Sequence, residues 1–363
     1  MSNDLLVQKL NALRDNIDNV DEQILALLQS RAQLAKNVGE LKQQGAWAFH
    51  VPERERKIVE RLRNLNSTHL FPSESVGAVY REIMSACLRL ESPITVSYLG
   101  PGTSFSYLAL RKAFGASALA VPERSIESVY DAIENERTDY AVVPIENSFE
   151  GTVNNSMQRM LKTNTQVHGE IFLPICHNLT SRAAKLSEIT KVYSHPQALG
   201  QCRMWLTEHL PQAELLETLS TAQACAEVTD KPWCAAISNI PAALENGLSV
   251  LVPNIHDRQE NETRFLVLTR EAKLAKRSTD KTTVVFSVAN THGQLAKVLY
   301  IFGANGVNLL KLESVPSRES TWGAFFWLDI SGSDELPAVA AALAEVRTHC
   351  EVFRLVGSYS ELG

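Results

Sequence analysis

Several features that would fix a protein's class at once are missing from this sequence. Its six cysteines, Cys87, Cys176, Cys202, Cys225, Cys234 and Cys350, form no CxxC pair. Wide spacing in a chain of 363 residues argues for free thiols in a reducing compartment, against a disulfide framework and against a zinc site. No apolar run reaches the ~18 residues of a membrane span. The opening MSNDLLVQKL has no basic segment leading into an apolar core, so it does not read as a secretory signal, and a cytoplasmic protein is expected. No GxGxxG or GxxxxGK[ST] loop is present to cradle phosphates. Basic charge is not in excess: 35 Lys and Arg face 41 Asp and Glu, a net charge of −6. That balance excludes a dedicated nucleic-acid binder but leaves room for a local cationic pocket.

What is present is an ordinary globular composition, 45% hydrophobic and 21% charged, in a chain long enough for two or three domains. Its periodicity changes twice. From residue 4 to about 43, apolar residues at Leu6, Leu10, Leu13, Ile17, Val20, Ile24 and Leu27, then Leu34, Val38 and Leu41, step by four and three. This is a heptad stripe on one helix, with Asp4 placed to cap its start and Gly45 to end it. Such a helix spans roughly 60 Å, too long for a small monomeric bundle, so a dimer or coiled coil is implied. Pro52 opens a second helix at about 53–65, and a third runs at about 73–91 until Pro93 ends the helical region.

From Ile94 strands and helices alternate. Strands are predicted at ITVSYL (94–99), YAVVPI (140–145), KVYS (191–194), CAAIS (234–238) and RFLVLT (264–269), with helices at about 104–114, 125–137, 196–209 and 221–230. The pattern is α/β, in one large domain or two small lobes. The charged stretch Glu271–Lys281 is the best linker. Residues 282–360 then read β-α-β-β-α-β, the ferredoxin-like split.

The heptad stripe contains one anomaly. Its steps land on Arg31, where an apolar side chain is expected. A guanidinium there either pairs with a carboxylate or lines an anion site inside the bundle. Lys42 lies eleven residues on, close to three turns, and points the same way. Arg14 is about a quarter turn off that face, within reach of another chain's pocket in an interlocked dimer. Arg14, Arg31, Lys42 and Arg54 together suit a small dianion. Cys87 and Glu91 share a face of the third helix.

These residues carry a known pattern. The chain resembles the bifunctional chorismate mutase–prephenate dehydratase family (the P-proteins) over essentially its full length. LRDNIDNVDEQILALLQSR, KNVGELK and VPERE resemble an all-helical chorismate mutase over residues 1–92. GPGTSFS (100–106), VVPIENSFEGTV (142–153), YSHPQALGQC (193–202) and NETRF (261–265) resemble a prephenate dehydratase, whose fold is that of a two-lobed periplasmic binding protein, over residues 93–271. THGQLAKVLYIF and LLKLESVP resemble an ACT regulatory domain in residues 272–363.

The resemblance implies an intertwined mutase dimer. Arg14 would come from the partner chain, Arg31 and Arg54 would bind carboxylates, Lys42 would donate to the ether oxygen, and Glu55 would contact the ring hydroxyl. Glu91 stands where some relatives have glutamine, Cys87 where they have serine, and Val51 where some have aspartate. The rearrangement of chorismate needs no nucleophile, base or cofactor. It needs a compact conformer and stabilisation of charge growing on the ether oxygen. Glu91 can assist that oxygen only when protonated, which predicts an acid-favouring mutase.

Prephenate loses carbon dioxide and water to give phenylpyruvate, and polar uncharged donors suffice without a metal. Thr263 is the first choice, with Asn147, Ser106 and Gln197, and with Arg264 as a possible anion binder. Asn147 and Ser148 also suit helix caps, Gly100 and Gly102 a plain turn, His195 a turn or supporting role, and Glu146 the orientation of other groups. For regulation, the resemblance implies that phenylalanine binds between paired ACT domains. Gly293, Leu295, Asn308, Leu309, Glu313 and Ser314 are the expected contacts, although GQL replaces the usual GAL and ESVP the usual ESRP. An arogenate-using dehydratase, a chain with one inactive domain, and a small-carboxylate binding or sensor protein remain as alternatives.

Overall fold

A computed structural model describes residues 3–45, 47–68, 70–258, 260–270, 280–316 and 324–362. Most of the expected linker, and the turn after ESVP, lie outside the described residues. The chain divides into two compact units, Met1–Ile94 with Phe114–Leu119, and the remainder.

The first unit is helical: α1 (Asn3–Gly45), α2 (Pro52–Leu65) and α3 (Ser73–Glu91). The heptad stripe of α1 folds as the periodicity requires, and α1 stops at the expected glycine. Its apolar side chains are not covered within one chain: Leu13 is 61% exposed and Leu27 71%. Among the described residues the stripe is therefore a long exposed apolar surface, of the kind that soluble monomers rarely show. α3 crosses α1 where Gly39 allows it, since a Cβ there would come within 2.7 Å of the Glu91 Cα.

The second unit holds the strands. In chain order they are β1 (Thr95–Leu99), β2 (Leu119–Glu123), β3 (Tyr140–Asn147), β4 (Gly151–Thr152), β5 (Thr165–Pro174), β6 (Asn178–Ser181), β7 (Lys191–Ser194), β8 (Glu214–Glu217), β9 (Cys234–Ser238), β10 (Ser249–Val252), β11 (Glu262–Arg270), β12 (Lys281–Ser287), β13 (Leu309–Pro316), β14 (Ala324–Ser331) and β15 (Val352–Tyr359). Among the described residues they form three sheets: β2-β1-β3-β11-β5 with β4 beside β3, then β10-β6-β9-β7-β8, then β13-β14-β12-β15. The first two sheets, with their helices, are two lobes. The chain crosses between them twice, from β5 to β6 and from β10 to β11. The two crossings lie side by side, with the Ile175 N–H donating to the Asn261 carbonyl and the Ile255 N–H to the His177 carbonyl (2.8 Å each).

The third sheet has the predicted split order. One face packs on its own helices through Val284, Phe286, Val298, Phe302, Leu328 and Val346. The other face contributes Val285, Val315, Trp327 and Tyr359 to the same core as Tyr130, Ile145, Leu266 and Leu268 of the first lobe. The C-terminal segment therefore shares a hydrophobic core with the first lobe.

Candidate functional sites

In the helical unit, the Lys42 ammonium donates to Glu91 Oε2 at 2.8 Å and to the Phe49 carbonyl at 3.0 Å. An ammonium has three N–H donors, so one remains uncommitted by these contacts. Glu55 stands opposite Nε2 of buried His50 at 3.7 Å. Burial pushes the Glu55 carboxyl up to about 7, assisted by the charge of Glu91 and opposed by Arg81, Lys42 and Arg31. Glu91, Lys42 and Arg31 are thus all within electrostatic reach of Glu55. Cys87 is buried, while Arg14 and Arg54 are exposed. Arg81, the strongest of the cations acting on Glu55, was missed in the sequence because no break in α3's apolar pattern marks it.

A carboxyl whose pKa is higher folded than unfolded binds its proton more tightly when folded. It weighs against folding as pH rises through the interval from 4.5 to about 7. The helical unit should therefore melt lower at about pH 8 than at about pH 5, and E55Q should narrow that gap. Circular dichroism melts with equal pH dependence in the two proteins would contradict this.

In the second unit, Asn147 and Thr263 are directly opposed in the β3/β11 ladder. Opposed residues present their side chains on one face, and Asn147 Nδ2 donates to Thr263 Oγ1 at 2.9 Å. Asn147 Oδ1 accepts the backbone N–H groups of Phe149 (3.0 Å) and Glu150 (3.1 Å). The expected helix cap is not formed, because the next helix begins only at Asn154; Asn147 instead braces the turn at 148–150, and this fixes which way its amide points. The same Nδ2 donates to Asn261 Oδ1 at 2.8 Å, and Asn261 Nδ2 donates to Gln201 Oε1 at 2.8 Å. Nε2 of buried His177 lies 2.8 Å from that same oxygen. The chain of amides runs from the first lobe, across both crossing segments, to the second. Asn147 is the last residue of β3, and the carboxyl ends of strands are where open α/β sheets bind ligands. Nearby, Asn239 Nδ2 donates to the Thr103 carbonyl in the loop after β1 at 2.7 Å.

The remaining expected residues fall elsewhere. Gln197 is exposed and outside the amide chain; Gln201, one helical turn on in the same motif, occupies it. His195 caps its helix by accepting the Gln197 N–H at 3.3 Å. Ser148 bonds back to the β11 approach, accepting the Glu262 N–H at 2.9 Å. Ser106 is buried at the start of the helix after GPGTSFS.

Arg264, expected as an anion binder, is engaged by the protein's own groups. It is 5% exposed and its guanidinium reaches Glu170 and Asp329 at 2.7 Å each and the Tyr359 hydroxyl at 3.0 Å. Glu170 also holds Lys281 at 2.8 Å. Arg264 is one residue from Thr263 on a strand and so faces the other side of the sheet, where it joins the third sheet to the first lobe. Glu146, its ladder partner, faces the same way and pairs with Lys311 at 2.6 Å. In the C-terminal segment, Gly293 caps its helix at a φ of +79°, a left-handed conformation that glycine takes without strain. Leu295 packs on the core beside it, and Leu309, Glu313 and Ser314 lie along β13, with Asn308 just before it.

A helical unit in which Lys42 meets Glu91, a two-lobed α/β unit joined by a buried amide chain, and a ferredoxin-like sheet are the architecture of a fused, multidomain enzyme. The comparisons agree segment by segment. Residues 13–92 match chorismate mutase type II, 96–273 prephenate dehydratase, and 282–348 the ACT domain. The bifunctional chorismate mutase/prephenate dehydratase of Aquifex aeolicus is 40% identical over 97% of this chain and 98% of its own. That of Stutzerimonas stutzeri is 36% identical over 97% of both. Among solved structures, prephenate dehydratase in complex with L-Phe from Arthrobacter aurescens is 34% identical, with a TM-score of 0.68 over 74% of this chain and 90% of that one. The chain belongs to the bifunctional chorismate mutase/prephenate dehydratase family. It carries both activities, chorismate to prephenate and prephenate to phenylpyruvate, in phenylalanine biosynthesis.

Proposed function

We propose that the mutase site is built around Lys42, with Arg31 and Arg54 on the substrate carboxylates, Glu55 at the ring hydroxyl, Glu91 and Cys87 behind the ether oxygen, and the Arg14 of a second copy closing it. The observation that carries this reading is the uncommitted third N–H of Lys42, held in place before substrate arrives. Such a donor can meet charge developing on the ether oxygen without reorganising. The bare heptad stripe of α1 supports a homodimer, which brings a foreign arginine to each pocket.

Subunit mixing tests that assembly. In a heterodimer of R14A and K42A chains, one of the two sites has both residues intact. Mixing two inactive variants under exchange should therefore restore mutase activity. No recovery from demonstrated heterodimers would place Arg14 in its own chain's site or outside the site.

The dehydratase site is the cleft holding Thr263, Asn147 and Gln201. Thr263 Oγ1 accepts from Asn147, which leaves its own proton free to donate. That proton hydrogen-bonds to the C4 hydroxyl of prephenate as its C–O bond breaks, and a proton from solvent completes the departing water so that Thr263 stays neutral. The electrons of the breaking bond to the ring carboxylate flow into the ring, releasing carbon dioxide, and aromatisation drives the step. The substrate is prephenate, the product of the fused mutase, in preference to arogenate. A comparison of kcat/KM on the two substrates tests this; an arogenate preference would overturn it.

Phenylalanine is the proposed effector of the ACT segment. The Arthrobacter relative was solved with L-Phe. Here β13 lies at the end of its sheet among the described strands, with Leu310 and Leu312 exposed. That edge can pair with a second copy, enclosing the ligand between Gly293 and Leu295 and the β13 residues Leu309, Glu313 and Ser314, with Asn308. Inhibition requires phenylalanine to favour a less active state. Calorimetry on the full chain, alongside dehydratase rates, should show binding heat and inhibition. No heat and unchanged rates at millimolar phenylalanine would reject both halves.

A further inference from the structure

The direction of every hydrogen bond in the amide chain is set from one end. Asn147 Oδ1 accepts two backbone N–H groups, so its Nδ2 must be the donor. Asn261 therefore presents oxygen to Asn147 and nitrogen to Gln201. Gln201 Oε1 then accepts from Asn261, and an oxygen cannot donate to His177. The bond between His177 Nε2 and Gln201 Oε1 accordingly requires a proton on Nε2. Two atoms are left over. His177 Nδ1 and Gln201 Nε2 are both buried without a hydrogen-bond partner among the described residues. The bare Nδ1 is the complement of an Nε2–H tautomer in a neutral ring. The open Gln201 amide is different in kind: an unsatisfied buried donor is costly to keep, and here it lies two amides beyond the Asn147–Thr263 pair, with Asn261 between.

We propose that His177 is a positioning residue of the dehydratase, whose Nε2–H holds the Gln201 amide oxygen inward so that its NH2 is presented to an acceptor oxygen of the substrate. The inference rests on the dehydratase reading of the Thr263 cleft. His177 is suited to the task by its place. It sits on one crossing segment, with its carbonyl bonded to Ile255 and its ring edge-on to Phe105 at 6.0 Å. It therefore cannot follow the glutamine if the amide turns. Burial lowers the imidazole pKa, opposed by the Gln201 bond, which keeps the ring in the neutral form that the geometry needs. Without His177 the Gln201 oxygen keeps one donor, and the amide is free to swing about it.

The test uses the full chain, with mutase turnover as an internal control for folding. H177L should lower dehydratase kcat/KM by about 10²-fold, the scale of a misplaced group, and leave chorismate rearrangement intact. H177Q can place an N–H near the position of Nε2 and should recover much of the loss. H177N reaches only toward Nδ1 and should not. In the Q201A background H177L should cost little more, because a residue acting only through Gln201 has nothing left to position. Full additivity of the two losses, or equal activity in H177Q and H177N, would overturn the proposal. Nitrogen-15 shifts of labelled histidine, with His177 assigned by its loss in H177Q, give a reading that needs no active variant. An Nε2–H tautomer is expected, and Nδ1–H would overturn the proposal. T263A keeps the two levels apart. If T263A stays active, the cleft assignment itself has failed; if T263A is inactive but the His177 results go the wrong way, only the positioning role has failed.

Discussion

K42A should lose mutase turnover by about 10²- to 10³-fold, the effect of removing one preorganised donor to a developing oxyanion. The ammonium is fixed by two acceptors, Glu91 at 2.8 Å and the Phe49 carbonyl at 3.0 Å, and is half-buried between helices. Its third donor is the only one the two contacts leave for substrate. The loss should fall mainly on kcat, because charge on the ether oxygen grows only as the bond breaks. Dehydratase turnover on supplied prephenate should be near that of the parent, since Lys42 lies in the helical unit and Thr263 in the other. Rates measured separately on chorismate and on prephenate decide the matter. Equal losses in both, in a folded K42A protein, would contradict the assignment.

T263A should lose dehydratase turnover by a similar ~10²- to 10³-fold while the mutase is untouched. The Thr263 hydroxyl accepts from Asn147 at 2.9 Å, so its own proton is free to hydrogen-bond to substrate. Departure of the C4 hydroxyl is where that bond is required, and the loss should again sit in kcat more than in KM. T263S retains the hydroxyl and should retain most of the rate. A T263A enzyme with ordinary prephenate turnover would remove Thr263 from the chemistry.

The helical unit was legible because its signal is local. A four-three stripe fixes the face of α1, and Arg31 stands out as the charged residue on that face. β3, β7, β9 and β11 were legible as short runs of β-branched and apolar residues. β5 was not. Its sequence, TQVHGEIFLP, places His168 and Glu170 in buried positions, and buried polar residues break both the alternating and the continuous apolar pattern. Glu170 is tolerated there only because Arg264 and Lys281 meet it, and both come from distant parts of the chain. The same reason hid the partners of Arg264, since Asp329 and Tyr359 belong to the third sheet. Gln197 and Gln201 stand one turn apart in one motif. Sequence alone had no means of choosing between them, because the choice depends on Asn261 and His177 arriving from the two crossing segments.

The most direct test of a two-site enzyme is to give chorismate to K42A and T263A, each alone and then mixed, and to follow phenylpyruvate. K42A makes too little prephenate to feed its intact dehydratase, and T263A makes prephenate that it cannot dehydrate. Alone, each should form almost no phenylpyruvate, and T263A should accumulate prephenate. Mixed, they should form phenylpyruvate after a lag, as prephenate made on one chain is consumed on another. A mixture as inactive as its components, with both proteins folded and prephenate present, would contradict the account of two separate sites.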